Sequence, residues 1–178
     1  MLFYNKIFIT GFMGSGKSTL GKKLAQVLRR DFIDLDLYIE IKYQNKISKI
    51  FDQLGEAEFR KMEEECLIEI IQKKEVMVIA LGGGTICFKD NLTKVKQNGL
   101  LVYLNLPAKV LAERIKKSRT IRPLLQNLKN DNLLETIEQK LHQRNEFYEQ
   151  AHLKVNGLNL TAQLLQPQII EFQTKNNS

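Results

Sequence analysis

The residues Gly11-Phe-Met-Gly14-Ser15-Gly16-Lys17-Ser18 follow the pattern GxxxxGK[ST] in full. Glycines at these positions let backbone N–H groups turn inward around phosphate oxygens. A helix opening at Lys17 adds the positive end of its dipole. Lys17 can reach the β- and γ-phosphates, and the Ser18 hydroxyl can ligate Mg²⁺. Ser15, Gly16 and Thr19 belong to the same turn and the helix start. The flanks are those the mechanism needs, a buried strand ending in KIFIT before the motif and a helix-period segment after it. The alternative, a chance glycine-rich turn, does not explain that context. The motif implies a bound nucleoside triphosphate; alone it does not separate kinases from GTPases, motors or regulators. No NKxD is present, Asn130-Asp131 not being one, and 178 residues are too few for a motor or a multidomain ATPase.

Residues that could receive the phosphate lie further along. Asp34 and Asp36 follow a short strand, Phe32–Asp34, and residues two apart in extended chain point the same way. One carboxylate suits Mg²⁺ or its waters, the other a hydroxyl that must lose a proton. Asp36 is also placed to cap a helix starting at Leu37. Gly82-Gly83-Gly84 ends a strand without polar residues, Val76–Leu81, where glycines allow a ligand close to the backbone; a plain turn is the alternative.

Two arginines break the pattern of their helices. Arg144 falls on the apolar stripe Leu134, Ile137, Leu141, Tyr148, and Arg60 shares a column with Leu67 and Ile71. An inward arginine needs an anion or an ion-pair partner, and Glu56, Glu63 and Glu64 are near enough to pair with Arg60. The basic, proline-containing segment Ser118–Asn127 interrupts the helices like a flap that closes over phosphates, with Arg122 set against the transferring group; a simple surface loop is the other reading.

These residues need strands and helices to position them. The periodicity predicts strands at Phe3–Thr10, Phe32–Asp34, Val76–Leu81, Leu100–Leu104 and His152–Val155. Helices are predicted at Lys17–Arg29, Leu37–Tyr43, Ile47–Leu54, Glu56–Gln72, from Asp90 as cap to Gly99, from Pro107, at Asn132–Gln150 and at Thr161–Phe172. Alternating strands and helices mean a parallel sheet covered on both faces, with ligands at the carboxyl ends of the strands. Gln173–Ser178 reads as a frayed tail.

Composition narrows the classes. The chain is 43% hydrophobic and 26% charged, which excludes disordered and mini-protein scaffolds. Two cysteines, Cys66 and Cys87, fit a reducing compartment. Cys66 reads as core; Cys87 is assigned no role. Met1–Gly11 has no signal-peptide pattern, and Val76–Leu81 is far too short to span a bilayer, so the expected location is cytoplasmic, with no membrane partner. The net charge of +7 is uneven: residues 1–30 carry six basic and no acidic residues, and residues 31–75 sum to −5. Lys109–Arg122 holds six basic residues against Glu113 alone. Such clusters suit a polyanion, and the acidic middle favours a nucleotide over nucleic acid. His142 and His152 read as surface residues.

The pieces GFMGSGKSTLGKKLA, FIDLDLYIE, IFDQLGEAEFRKMEEECL, ALGGGT, LVYLNLP, RPLL and QRNEFYEQAH, in this order, resemble the shikimate kinase family over nearly the whole chain. The phosphate loop is shared by many kinases; the DxD, FRxxE, GGG and RPLL set is far more specific. The resemblance implies a three-layer α/β/α P-loop NTPase fold, like that of nucleoside monophosphate kinases, with a five-stranded parallel sheet. It implies one domain over 1–172, a substrate-binding region at about 34–62 and a lid at about 115–128. It implies transfer of the γ-phosphate of ATP to the 3-hydroxyl of shikimate by a monomer using ATP and Mg²⁺, a step towards aromatic amino acids.

By the same resemblance Asp36 holds the shikimate hydroxyls and is the candidate base, and Asp34 lies near Mg²⁺. Arg60 and Arg144 grip the carboxylate, and Gly83 donates from its backbone within Gly82–Gly84. Arg122 acts on the phosphates from the lid, and Arg114 packs on adenine. Gly14, Ser15, Gly16, Lys17, Ser18 and Thr19 hold the nucleotide. Two departures stand out. Leu35 replaces the usual threonine of a DTD motif, and Asn156–Thr161 carries no basic residue where relatives often place an adenine contact. A kinase of another polyhydroxy acid, such as gluconate, is the alternative enzyme. A catalytically idle nucleotide sensor is the alternative class, against which intact Lys17, Ser18, Asp36 and Arg122 weigh.

Overall fold

A computed structural model describes residues 4–118 and 132–175. Five strands, β1 (Lys6–Thr10), β2 (Asp31–Asp34), β3 (Met77–Ala80), β4 (Leu100–Asn105) and β5 (Leu153–Asn156), form one sheet in the order β2-β3-β1-β4-β5. All four pairings are parallel. β1 is buried along its whole length, as are β3 and all but the last residue of β4. Continuous apolar runs are what a sheet covered on both faces requires.

The alternation of side chains assigns the two faces. Ile7, Ile9, Val78 and Val102 pack against α1 (Lys17–Leu28) and α7 (Ala162–Lys175), through Leu24, Ala162 and Ile169. Phe8, Ile79, Leu101 and Tyr103 pack on the other side. Their partners lie on α2 (Leu35–Lys42), α3 (Ile47–Gln72), α4 (Asn91–Asn98) and α6 (Leu133–Tyr148), among them Leu35, Leu67, Val95 and Tyr148. A third cluster seats α5 (Ala108–Lys117) and α6 over Phe12 and Met13 of the phosphate loop. The architecture is the three-layer α/β/α arrangement expected for a P-loop kinase.

Several boundaries differ for physical reasons. α2 begins at Leu35, not Leu37, because Leu35 is drawn fully into the core. Its N-cap is Asp34, whose Oδ1 accepts the Leu37 N–H at 3.3 Å, so Asp36 sits in the first turn and is not the cap. Asp90 occupies the N-cap position of α4 but its carboxylate caps no N–H; it pairs with Lys94 at 2.8 Å. Pro107 is the N-cap of α5 rather than its first helical residue. α3 covers both predicted helices and breaks between them at Gly55 (φ 78°, ψ 170°), a conformation essentially confined to glycine. α7 runs to Lys175, and Gln173 is buried, so three residues of the expected tail are helical.

Candidate active site

β1 delivers the phosphate loop and β3 delivers the glycine run, so both converge at the carboxyl end of neighbouring central strands. Three loop glycines hold positive φ: Gly11 (147°), Gly14 (78°) and Gly16 (96°). At Gly11 a side chain would also stand 2.7 Å from the Leu104 carbonyl. Gly16 is the left-handed N-cap of α1, which carries no acidic residue in its first turn to compete for an anion. The Lys17 ammonium is buried and donates to the carbonyls of Gly11 (2.8 Å) and Phe12 (3.0 Å), which fixes it inside the loop. Ser18 and Thr19 are exposed at the start of α1. Ser15 Oγ is buried with no hydrogen-bond partner among the described residues.

A cleft of about 640 Å³ opens beside this loop. Ser15, Gly16, Thr19 and Arg114 line one side, Gly157 and Asn159 the other. Arg114 donates from Nη1 to the Ser15 carbonyl at 2.9 Å and so ties α5 to the phosphate loop. The wall formed by Gly157–Thr161 contains no cation, as the sequence suggested.

A second cavity lies on the other side of the loop. Asp36, Arg60, Glu63, Gly82–Gly84 and Arg144 line it, with Met13, Phe51 and Phe59 as apolar wall. The predicted acceptor residues therefore come together, from α2, α3, the turn after β3, and α6. Asp34 does not line it. The expectation that Asp34 and Asp36 project together from a strand is corrected: α2 starts between them, so strand alternation no longer relates them. Leu35, the departure from DTD, lies wholly in the core.

The two arginines are held differently. Arg60 Nη1 donates to Glu63 Oε2 at 2.6 Å and Nη2 to Glu56 Oε1 at 3.2 Å. Burial disfavours its charge, but the two carboxylates more than offset this, and its pKa lies above the ordinary arginine value. Arg60 is thus ion-paired and also lines the cavity. Glu64 belongs elsewhere, paired with Lys89 and Lys94. Arg144 donates to the Gly83 carbonyl at 3.0 Å and stands over the Phe12 ring, 5.4 Å from its centroid.

The glycine run needs space rather than unusual backbone. Gly82, Gly83 and Gly84 all lie outside the positive-φ region. A side chain at Gly82 would meet Glu63 Oε1 at 2.5 Å, and one at Gly84 would meet Arg60 Nη2 at 2.7 Å.

Other members of the site had no sequence signal for this role. The buried Tyr148 phenol donates to the same Gly83 carbonyl as Arg144, and its ring stacks on Tyr103 at 4.7 Å. Burial pushes its pKa up. Its apolar spacing marked it only as a stripe residue. The buried Thr85 hydroxyl donates to Glu63. Cys87 is half-buried beside this turn, and burial pushes its thiol up to about 11. His142 is exposed; His152 is half-buried, and its Nδ1 accepts the Leu101 N–H at 3.0 Å. Arg122 and most of the segment Ser118–Asn127 lie outside the described residues.

A phosphate loop at the switch point of a parallel sheet, with an acceptor cavity bearing two carboxylates and two arginines, defines a P-loop small-molecule kinase. Comparison with known proteins narrows the class. The sequence model of the shikimate kinase family matches residues 13–173. A shikimate kinase of Bacteroides fragilis is 44% identical over 147 residues, 83% of this chain and 82% of that one. The crystal structure of shikimate kinase from Bacteroides thetaiotaomicron superposes with a TM-score of 0.84 at 38% identity, covering 97% of this chain and 98% of that one. Shikimate kinase from Acinetobacter baumannii, solved in complex with shikimate, gives 0.87 at 33%, covering 98% and 96%. A gluconokinase from Sinorhizobium meliloti, at 17% identity and a TM-score of 0.61, shares the fold. The chain belongs to the shikimate kinase family.

Proposed function

We propose that the chain transfers the γ-phosphate of ATP to the 3-hydroxyl of shikimate, and that the residues above divide the work as follows. The observation that carries this reading is the cavity itself: Asp36, two arginines, Arg60 and Arg144, and Glu63, which is paired with Arg60, face a space beside the phosphate loop. A small acid with several hydroxyls needs both kinds of partner. Arg60 and Arg144 take its carboxylate, and the Gly82–Gly84 turn supplies backbone contact. Asp36 orients the reacting hydroxyl and takes its proton as the oxygen attacks the γ-phosphorus and the bond to the β-phosphate oxygen breaks. Lys17 and the N–H groups of Gly14–Ser18 stabilise the phosphates, Thr19 closes the same turn, and Arg114 stands at the base-binding cleft. Arg122 is assigned to the transferring phosphoryl group by family resemblance.

Among the described residues no three Asp, Glu, His or Cys side chains gather as a metal cage. The exposed Ser18 hydroxyl and the half-buried Asp34 carboxylate are hard oxygen donors, which fits Mg²⁺ held mainly by phosphate oxygens and water, with these two residues as the protein's share. Bound there, Mg²⁺ would offset charge on the β- and γ-phosphates. Most of the rate comes from positioning and charge neutralisation. The monomeric state is assigned by family resemblance, and the two free cysteines support a cytoplasmic setting. Among the described residues no helix is long and apolar enough to cross a membrane. The test is ADP release from ATP and Mg²⁺ with shikimate, gluconate or AMP added singly. Stimulation by shikimate alone supports the reading; stimulation by gluconate or AMP, or by none, contradicts it.

A further inference from the structure

Glu63 is fully buried, and each of its carboxylate oxygens has a different partner. Oε2 accepts from Arg60 at 2.6 Å, and Oε1 accepts from the Thr85 hydroxyl at 2.6 Å. Thr85 is also fully buried, and it does not line the acceptor cavity. Its backbone is pinned from both sides: its N–H donates to the Gly82 carbonyl at 3.3 Å, and its carbonyl accepts from the Asn91 side chain at 2.9 Å. The hydroxyl is thus carried on a fixed turn.

We propose that Thr85 is a positioning residue for the acceptor: its hydroxyl sets the rotation of the Glu63 carboxylate, which sets the Arg60 guanidinium. The terminal torsion of a glutamate is soft, and Gly82 opposite Glu63 presents no side chain to stop it. Pinning Oε1 on Thr85 leaves Oε2 aimed at Arg60. The other anchor of Arg60, Glu56, is 53% exposed and bonds at 3.2 Å, so solvent screens it. Orientation of the guanidinium therefore comes chiefly from Glu63. Without the Thr85 hydroxyl, a buried acceptor loses its donor, and the carboxylate turns to share Arg60 between both oxygens or swings away. Either change moves the cation that meets the substrate carboxylate. This rests on the assignment of Arg60 made above.

Steady-state kinetics with MgATP and shikimate test it on Thr85→Ser, Thr85→Val and Arg60→Lys. Thr85→Val keeps shape and removes the donor; Thr85→Ser keeps the donor and removes a methyl. The expected result is a KM for shikimate raised roughly tenfold or more in Thr85→Val, with kcat and the KM for ATP changed less than about threefold. Thr85→Ser stays within about threefold of the parent. If Thr85→Val does not fold, Thr85→Cys, close to serine in size and a poor donor, makes the same comparison. Equal effects of Ser and of Val or Cys overturn the proposal, as does a loss falling on kcat or on ATP. Arg60→Lys raising the KM while Thr85→Val leaves it unchanged overturns the Thr85 role alone. Arg60→Lys without effect overturns the carboxylate assignment and this proposal with it.

Discussion

Replacing Gly84 by alanine adds one methyl group at the point where the site has least room. Gly84 has φ −117° and ψ 0°, which alanine adopts without strain. The substitution would on that ground stabilise the chain by about 0.4–1 kcal/mol through the unfolded state. The new Cβ, however, stands 2.7 Å from Arg60 Nη2 and 3.0 Å from its Cζ, where ordinary contact starts near 3.4 Å. The guanidinium must retreat by about 0.7 Å, the side chain being freer to move than the turn. Its 2.6 Å bond to Glu63 then lengthens or tilts, and under the proposed assignment the guanidinium is displaced from the substrate carboxylate. A charge-assisted hydrogen bond of this kind contributes about 1.5–3 kcal/mol. The KM for shikimate should therefore rise roughly tenfold to hundredfold, with the KM for ATP unchanged and a melting temperature no higher than the parent's, because strain on the buried Arg60–Glu63 pair outweighs the backbone gain. The assay is ADP release with shikimate titrated at saturating MgATP. A shikimate KM within twofold of the parent, in a folded Gly84→Ala protein, would refute the claim that Arg60 grips the substrate from this position.

Two further perturbations bear on the parts around Arg60. Tyr148→Phe removes one of the two donors on the Gly83 carbonyl; it should cost about 1 kcal/mol of stability, a fall of roughly 2–4 °C in Tm, and raise the shikimate KM severalfold, read by melting and kinetics. His152 has a pKa below its ordinary 6.5, first because burial disfavours its charge and then because of Lys96. The unfolded chain takes up that proton first, so the contribution is whole above about pH 6.5 and is lost as pH falls through the folded value. Melting curves should show a Tm decline between pH 7 and pH 5 that His152→Gln flattens, since protonation of Nδ1 removes the acceptor for Leu101.

Much of the site was legible because its chemistry is carried by contiguous residues. The phosphate loop is a backbone structure, and its glycines and lysine occur at spacings that only that structure uses. Arg60 and Arg144 stood out because a cation on an apolar stripe contradicts its surroundings. What periodicity does not carry is the hydrogen-bonding end of a side chain already accounted for. Tyr148 fits its stripe by its ring, and nothing in spacing tells where its hydroxyl goes. Thr85 is a single residue in a turn, and its partner Glu63 lies 22 positions earlier. The paired-aspartate geometry failed for a related reason: burial of Leu35 starts the helix early and replaces strand alternation by a helical turn. The glycine run lines the acceptor cavity, and Gly82 and Gly84 also leave room for Glu63 and Arg60, a second need that the motif alone does not show. Nor does local pattern show the backbone donor that the half-buried His152 meets, since Leu101 is 51 residues away. The strand order is likewise absent from local pattern, which shows alternation but not which strands neighbour.

The central claim is that the two arginines select the acceptor by its carboxylate. The most direct measurement compares kcat/KM for shikimate and for its methyl ester, which keeps the ring and hydroxyls but not the charge, in the parent and in Arg144→Met. The account predicts that the parent favours the acid by roughly a hundredfold, about the cost of leaving a charged partner unmatched, and that the ratio collapses towards unity in the variant through loss of activity on the acid. A parent that uses both alike, or a variant that keeps the parent's ratio, would contradict it.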